Sequence, residues 1–199
     1  MSEERNRLFP IFLKLEELQV LLVGGGNVGL EKLSALLANS PKARITVVAD
    51  QIRDEIRAIS AQNETNGTQV VLVNRTFEFA DLEDKDLVIL ATDNPALHQS
   101  IKRVTAENHI LTNVADTPDL CDFYLGSIVQ KGDLKIAIST NGKSPTMAKR
   151  IKEFLNEIIP DNIQTLLENL QAYRNTLKGD FQEKVRELND LTASFLRKS

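Results

Sequence analysis

The chain of 199 residues has no tryptophan, two histidines, two tyrosines and one cysteine, Cys121. A single cysteine excludes an internal disulfide and suits a reducing compartment. With no C-x-x-C partner it reads as a small buried side chain. His98 and His109 stand apart, without paired-ligand spacing, and read as surface or packing residues. No metal-ligand set and no Ser/His/Asp signature emerges, so the metal question is left open. No apolar run approaches the roughly 20 residues that a bilayer helix takes. The opening MSEERNRLFP lacks an apolar signal core. Excess positive charge is also missing. The net charge is −4, so no global basic field recruits nucleic acid. These absences lead us to expect a cytoplasmic protein with no membrane and no nucleic-acid partner. The remaining composition, 42% hydrophobic and 26% charged, is that of a globular protein able to bury a core.

Apolar, β-branched runs alternate with helical patterns along the first half. Val20–Val23, Ala43–Asp50, "TQVVLVNRTF", Asp86–Asp93 and "ILTNVAD" read as strands. "IRDEIRAIS" and the segment opened by Pro95 read as helices between them. Such alternation predicts a parallel sheet covered on both faces, an α/β fold. The pattern changes after Asp116. "FYLGSIVQKGDLKIAIST" predicts two strands joined at "KGD", a hairpin outside the βαβ series. Ser144 as N-cap and Pro145 as first helical residue open a charged helix that Pro160 stops. Asn162 to Lys198 reads as one or two amphipathic helices, with Gly179 as a weak point. We therefore expect segments 1–112, 113–147 and 148–199.

Gly24, Gly26 and Gly29, with Gly25 as an additional glycine, satisfy G-x-G-x-x-G between a strand and a helix. Such glycines serve the tight turn, the approach of a pyrophosphate to bare backbone, and close helix packing. With Asn27 and Val28 in the first helical turn, free N–H groups point at the anion. Asp50, 21 residues after Gly29, ends the second strand. A carboxylate there can bond an adenosine ribose and repel a 2′-phosphate, which favours NAD over NADP. Asp50 could equally be a solvated loop acid or a helix N-cap. Thr92 and Asp93 close the next strand but one and should lie near the cofactor, unless Asp93 or Asn94 only caps the following helix. Asn113 and Asp116, in "NVAD", end the fifth strand at the same rim. A carboxylate there suits a general base, or a turn before "TPD". Ser139, Thr140, Asn141, Gly142, Lys143 and Ser144 form a polar turn into a helix that carries Lys149 and Arg150. This suits a carboxylate- or phosphate-rich ligand, or a capped helix with a solvated basic face.

Four segments in this order carry a family resemblance: "LFPIFLKLEELQVLLVGGGNVGLEK", "LVILATDN", "NVADTPDLCDFYLGSIV" and "LKIAISTNGKSPTMAKRIKEFLNEIIP". Together they resemble the siroheme-synthase dehydrogenase family, the precorrin-2 dehydrogenases, some of which are also sirohydrochlorin ferrochelatases. The resemblance covers roughly residues 8–160. It implies an N-terminal Rossmann NAD-binding domain, a small strand-rich dimerisation segment and a helical C-terminal domain in a homodimer. It implies oxidation of the tetrapyrrole precorrin-2 to sirohydrochlorin with NAD as acceptor, followed in bifunctional members by insertion of Fe2+. By the same resemblance Asp116 is the catalytic base, and Lys143, Lys149 and Arg150 meet an octacarboxylate. An NAD-sensing regulatory module and another small-substrate Rossmann oxidoreductase are the competing readings.

Overall fold

The computed structural model describes residues 6–63, 69–178 and 180–193. Two compact units divide the chain, Met1–Leu125 and Gly126–Ser199.

In the first unit the apolar runs form five strands: β1 (Gln19–Val23), β2 (Arg44–Ala49), β3 (Gln69–Asn74), β4 (Leu87–Leu90) and β5 (Leu111–Val114). They pair in parallel in the order β3-β2-β1-β4-β5. Helices α1 (Asn27–Asn39), α2 (Asp54–Asn63) and α3 (Pro95–Glu107) connect them. Residues of β1 alternate between two cores, as the pleat requires. Val20 and Leu22 pack with Leu33 of α1 and Ile56 of α2, while Leu21 and Val23 pack with Ile101 of α3. The central strands β1 and β4 are buried on both sides, which is why they read as continuous apolar runs, whereas the edge strand β3 exposes Val71. This is the α/β Rossmann arrangement that the alternation predicts.

The outer edge of β5 is covered. Its inward N–H groups serve β4, with Leu111 N donating to Asp86 O and Ala115 N to Leu90 O. The outward ones meet the returning segment: Thr112 N donates to Asp122 Oδ2 at 2.9 Å and Val114 N to Cys121 Sγ at 3.2 Å. Asp122 N donates back to Thr112 O at 2.8 Å. Residues 121–122 thus close an edge that would otherwise offer itself for pairing. The expected limit at residue 112 falls within β5.

The second unit contains the hairpin β6 (Ser127–Lys131) and β7 (Leu134–Ile138), antiparallel, with Gly132 at φ +57° in its two-residue turn. A glycine at the first turn position is the residue that this turn type favours. Helix α4 (Pro145–Ile158) begins as predicted: Ser144 Oγ accepts from Met147 N at 3.1 Å and Pro145 follows. The C-terminal stretch is two helices, α5 (Ile163–Thr176) and α6 (Phe181–Thr192). Gly179, the expected weak point between them, lies outside the described residues. Among the described residues no helix is long and apolar enough to cross a membrane.

Candidate functional site

Strand register places the predicted residues along one rim. Val48, Val23, Leu90 and Val114 pair in a row across β2, β1, β4 and β5. Two residues beyond that row stand Asp50, Gly25, Thr92 and Asp116, all at the carboxyl ends of their strands. In open α/β sheets this is where ligands bind.

The glycines divide their work sharply. Gly24 adopts φ +122°, and a Cβ there would come within 2.4 Å of Ala91 O. A Cβ on Gly25 would lie 2.3 Å from Gln51 O, and one on Gly29 would lie 2.2 Å from Gly24 O. These three glycines are bare because protein backbone occupies the space. Gly26 is different: nothing lies within 4 Å of its Cβ position. It is exposed, directly before α1, and its surroundings leave room for an anion to approach the backbone. The loop therefore fits a dinucleotide pyrophosphate on the geometry of this chain.

Asn27, exposed, and Val28, half-buried, form the first turn of α1. Asn27 Oδ1 accepts from Arg53 Nη1 at 2.6 Å, and Arg53 N donates to Gly25 O at 3.1 Å, so the β2–α2 turn braces the glycine loop. Arg53 also grips Glu55 through two nitrogens. That pair raises the guanidinium and lowers the carboxyl of Glu55 from their ordinary values. Asp50 is exposed immediately after β2, and its carboxylate accepts from Gln51 N at 2.9 Å. It does not cap α2, which starts at Asp54.

Thr92 and Asp93 follow β4. Thr92 is half-buried and Asp93 exposed, while Asn94 caps α3 by accepting from Leu97 N at 3.0 Å. The Thr92 hydroxyl lies 2.8 Å from Nε2 of His98, a residue 4% exposed. Burial pushes that imidazole below its ordinary pKa, with Asp93 opposing the shift. The sequence places His98 at helical spacing with Ile101 and Thr105, the buried stripe of α3. That spacing was the available sign that it lies inside.

Asn113 is buried in β5, and its amide donates to Phe123 O at 2.8 Å, toward the returning segment. Asp116 is exposed with φ +57°, in a turn that Thr117 N closes by donating to Val114 O at 3.3 Å. Non-glycine residues rarely adopt that conformation, and where they do the strain often marks a functional position. Cys121 underlies this turn. Its Sγ accepts from Val114 N and donates to Val114 O at 3.3 Å, and burial pushes its thiol up.

In the second unit, Asn141 (φ +55°) and Gly142 (φ +74°) make a tight turn closed by Lys143 N donating to Thr140 O at 3.1 Å. Thr140 Oγ1 and Ser139 Oγ hold this turn from within. Ser144 is committed to capping α4. Lys143 and Lys149 are exposed, and Arg150 donates to Glu153 at 2.8 Å. Among the described residues no group of three or more His, Cys, Asp or Glu side chains could hold a metal ion. A surface hollow of about 360 Å³, lined by residues that include Arg44 and Gln69, lies at the opposite, amino-terminal end of the strands and contains none of the predicted site residues.

The five-stranded order and the open approach at Gly26 define a Rossmann-type dinucleotide-binding protein. A family model described as NAD(P)-binding matches residues 11–127, and the chain belongs to that family. A second, described as the central part of a sirohaem biosynthesis protein, matches residues 131–157. The chain is 31% identical over 178 residues to a siroheme synthase of Ruthia magnifica and 35% identical over 178 residues to one of Pseudoalteromonas atlantica. In each case 89% of this chain is covered, against 34% and 37% of the relative. The chain thus spans about a third of the length of these relatives. A solved structure of SirC, precorrin-2 dehydrogenase, is similar with a TM-score of 0.70 and 26% identity, covering 92% of this chain and 89% of that one.

Proposed function

We propose that this chain is an NAD-dependent dehydrogenase that oxidises precorrin-2 to sirohydrochlorin in siroheme biosynthesis, working in the cytoplasm. The observation that carries the reading is Asp116, an exposed carboxylate held in a left-handed turn on the same rim as the open face of Gly26. Two strand spacings, about 10 Å, separate β1 from β5. A dinucleotide whose pyrophosphate rests at Gly26 reaches across that distance. The likeness to SirC and to siroheme synthases supplies the substrate class.

Bound NAD supplies the hydride acceptor. The chain's own residues do the rest. The backbone after Gly26 holds the pyrophosphate, and Asp50 accepts from the adenosine ribose. The macrocycle gives up one hydride and one proton, and the Asp116 carboxylate takes the proton. In the second unit, exposed Lys143 and Lys149, with Arg150 and the Ser139–Ser144 turn, offer cations and polar groups of the kind that bind carboxylates. The likeness to siroheme synthases favours a second activity on the same product. In that step ferrous iron is a substrate, and Asp116 helps remove the pyrrole protons. The test is anaerobic: protein, NAD and precorrin-2 are mixed and sirohydrochlorin is followed by its absorption, then Fe2+ is added. No sirohydrochlorin means the reading is wrong. Sirohydrochlorin without siroheme means a dehydrogenase alone.

Two further expectations belong here. NAD should bind at least tenfold more tightly than NADP, because Asp50 stands where a 2′-phosphate would lie. Equal affinities by calorimetry would remove Asp50 from the cofactor site. The protein should also be a homodimer through residues 113–147. Helix α4 packs on β6–β7, but the hairpin has no third strand among the described residues, so its edges are open to pairing with a second copy. Light scattering that finds only monomer at micromolar concentration would contradict this.

A further inference from the structure

We propose that His98 is a positioning residue for the dinucleotide: its Nε2 draws the Thr92 hydroxyl inward and fixes the backbone of Thr92 and Asp93 at the rim beside the glycine turn. The inference rests on the cofactor reading above and extends it to a residue outside the glycine loop.

Three observations meet at this point. Thr92 lies close to the glycine turn and is held by a hydrogen bond. Its methyl carbon lies 3.3 Å from the Cβ position of Gly24, and its hydroxyl lies 2.8 Å from His98 Nε2. Ala91, just before it, presses its carbonyl against the same Gly24 and bonds β1 through Ala91 N to Val23 O at 2.8 Å. So the chain leaving β4 is packed directly on the turn that would receive the pyrophosphate. The anchor itself is rigid. His98 sits in the first turns of α3, which Asn94 and Pro95 initiate, and His98 N donates to Asn94 O at 3.1 Å.

The choice of side chain matters. An apolar residue at position 98 would continue the buried stripe with Ile101 and avoid the cost of burying an imidazole. The imidazole instead supplies the partner that the Thr92 hydroxyl needs. With its hydroxyl held inward, Thr92 offers a ligand its backbone and not its side chain. Asp93, the next residue, is then presented outward. Without the latch the Thr92 rotamer is free, and the rim beside Gly24 must be ordered by the cofactor on binding. That ordering weakens affinity.

The test is a double-mutant cycle on the full chain with NAD as ligand: Thr92→Val, His98→Leu, the double variant, and His98→Gln, whose Nε2 reaches the position of the imidazole Nε2. Affinity is measured by calorimetry, KM for NAD and kcat by turnover, and folding by thermal melting. We expect each single change to weaken NAD binding about five- to tenfold, the scale of one lost buried hydrogen bond. The double variant should be no weaker than the worse single one, because both remove the same bond. His98→Gln should recover most of the affinity. The KM for NAD should rise by more than kcat falls. A lowered melting temperature with unchanged NAD affinity would make His98 a core residue only and overturn the proposal. Additive losses would overturn it too. Wild-type protein that binds no dinucleotide would sink the cofactor reading and this inference with it, whereas normal wild-type binding with unaffected variants sinks this inference alone.

Discussion

Asp116→Asn is expected to lower dehydrogenase turnover by about 100- to 10,000-fold, the usual contribution of a positioned base, with fold and NAD affinity kept. Asparagine has the same shape and tolerates a left-handed backbone at least as well as aspartate, but its amide cannot accept the proton. The backbone allows a sharper discrimination. With φ at +57°, Asp116 occupies a conformation that suits glycine. Asp116→Gly should therefore leave stability unchanged or raise it by up to about 1 kcal/mol, and Asp116→Ala should lower it by about 1 kcal/mol. A residue that only makes the turn would give activities in the order of these stabilities. A base gives low activity in all three variants, the most stable one included. Thermal melts and initial rates on the same preparations separate the two. If Asp116→Asn turns over normally, the base lies elsewhere.

Gly26→Leu is expected to abolish NAD binding, with affinity reduced more than 100-fold and melting temperature close to that of the wild type. The reason is the contrast within the loop. At Gly26 the backbone is extended and nothing lies within 4 Å of a Cβ, so a side chain costs the fold little and fills the approach to the pyrophosphate. Gly29→Ala is the mirror image. Its Cβ would meet Gly24 O at 2.2 Å, so α1 must shift, at about 1–3 kcal/mol in stability. Calorimetry with NAD and thermal melting on both variants tests the division. Retained NAD binding in Gly26→Leu would place the pyrophosphate elsewhere.

The α/β fold was legible because the central strands β1 and β4 are buried on both faces and write apolar runs, and because helices α3 and α4 begin at a cap and a proline that the sequence displays, at Asn94–Pro95 and Ser144–Pro145. The glycine loop was legible for a local reason: strand, turn and helix follow one another directly. The division of labour among its glycines was not, since what blocks Gly25 is Gln51 O, 26 residues on. The same holds for the brace from Arg53 to Asn27 and for the returning segment that covers β5. Asn113 shows the limit most clearly. The sequence places it at the rim with Asp116, yet its amide serves Phe123. Alternation along a strand settles which residues share a face, but what lies opposite that face is a tertiary fact. His98 illustrates the converse. Its helical spacing with Ile101 was visible, while its partner Thr92 became evident only once α3 folded back on the end of β4.

Removal of a hydride and a proton from precorrin-2 by this chain is read by NADH formation from anaerobically generated precorrin-2, with wild type and Asp116→Asn side by side. One NADH per sirohydrochlorin formed is expected with the wild type, and almost none with a folded, NAD-binding Asp116→Asn variant. A wild-type protein that binds NAD but forms no NADH with this substrate would contradict it, and would leave a dinucleotide-sensing module or an oxidoreductase of another, smaller substrate.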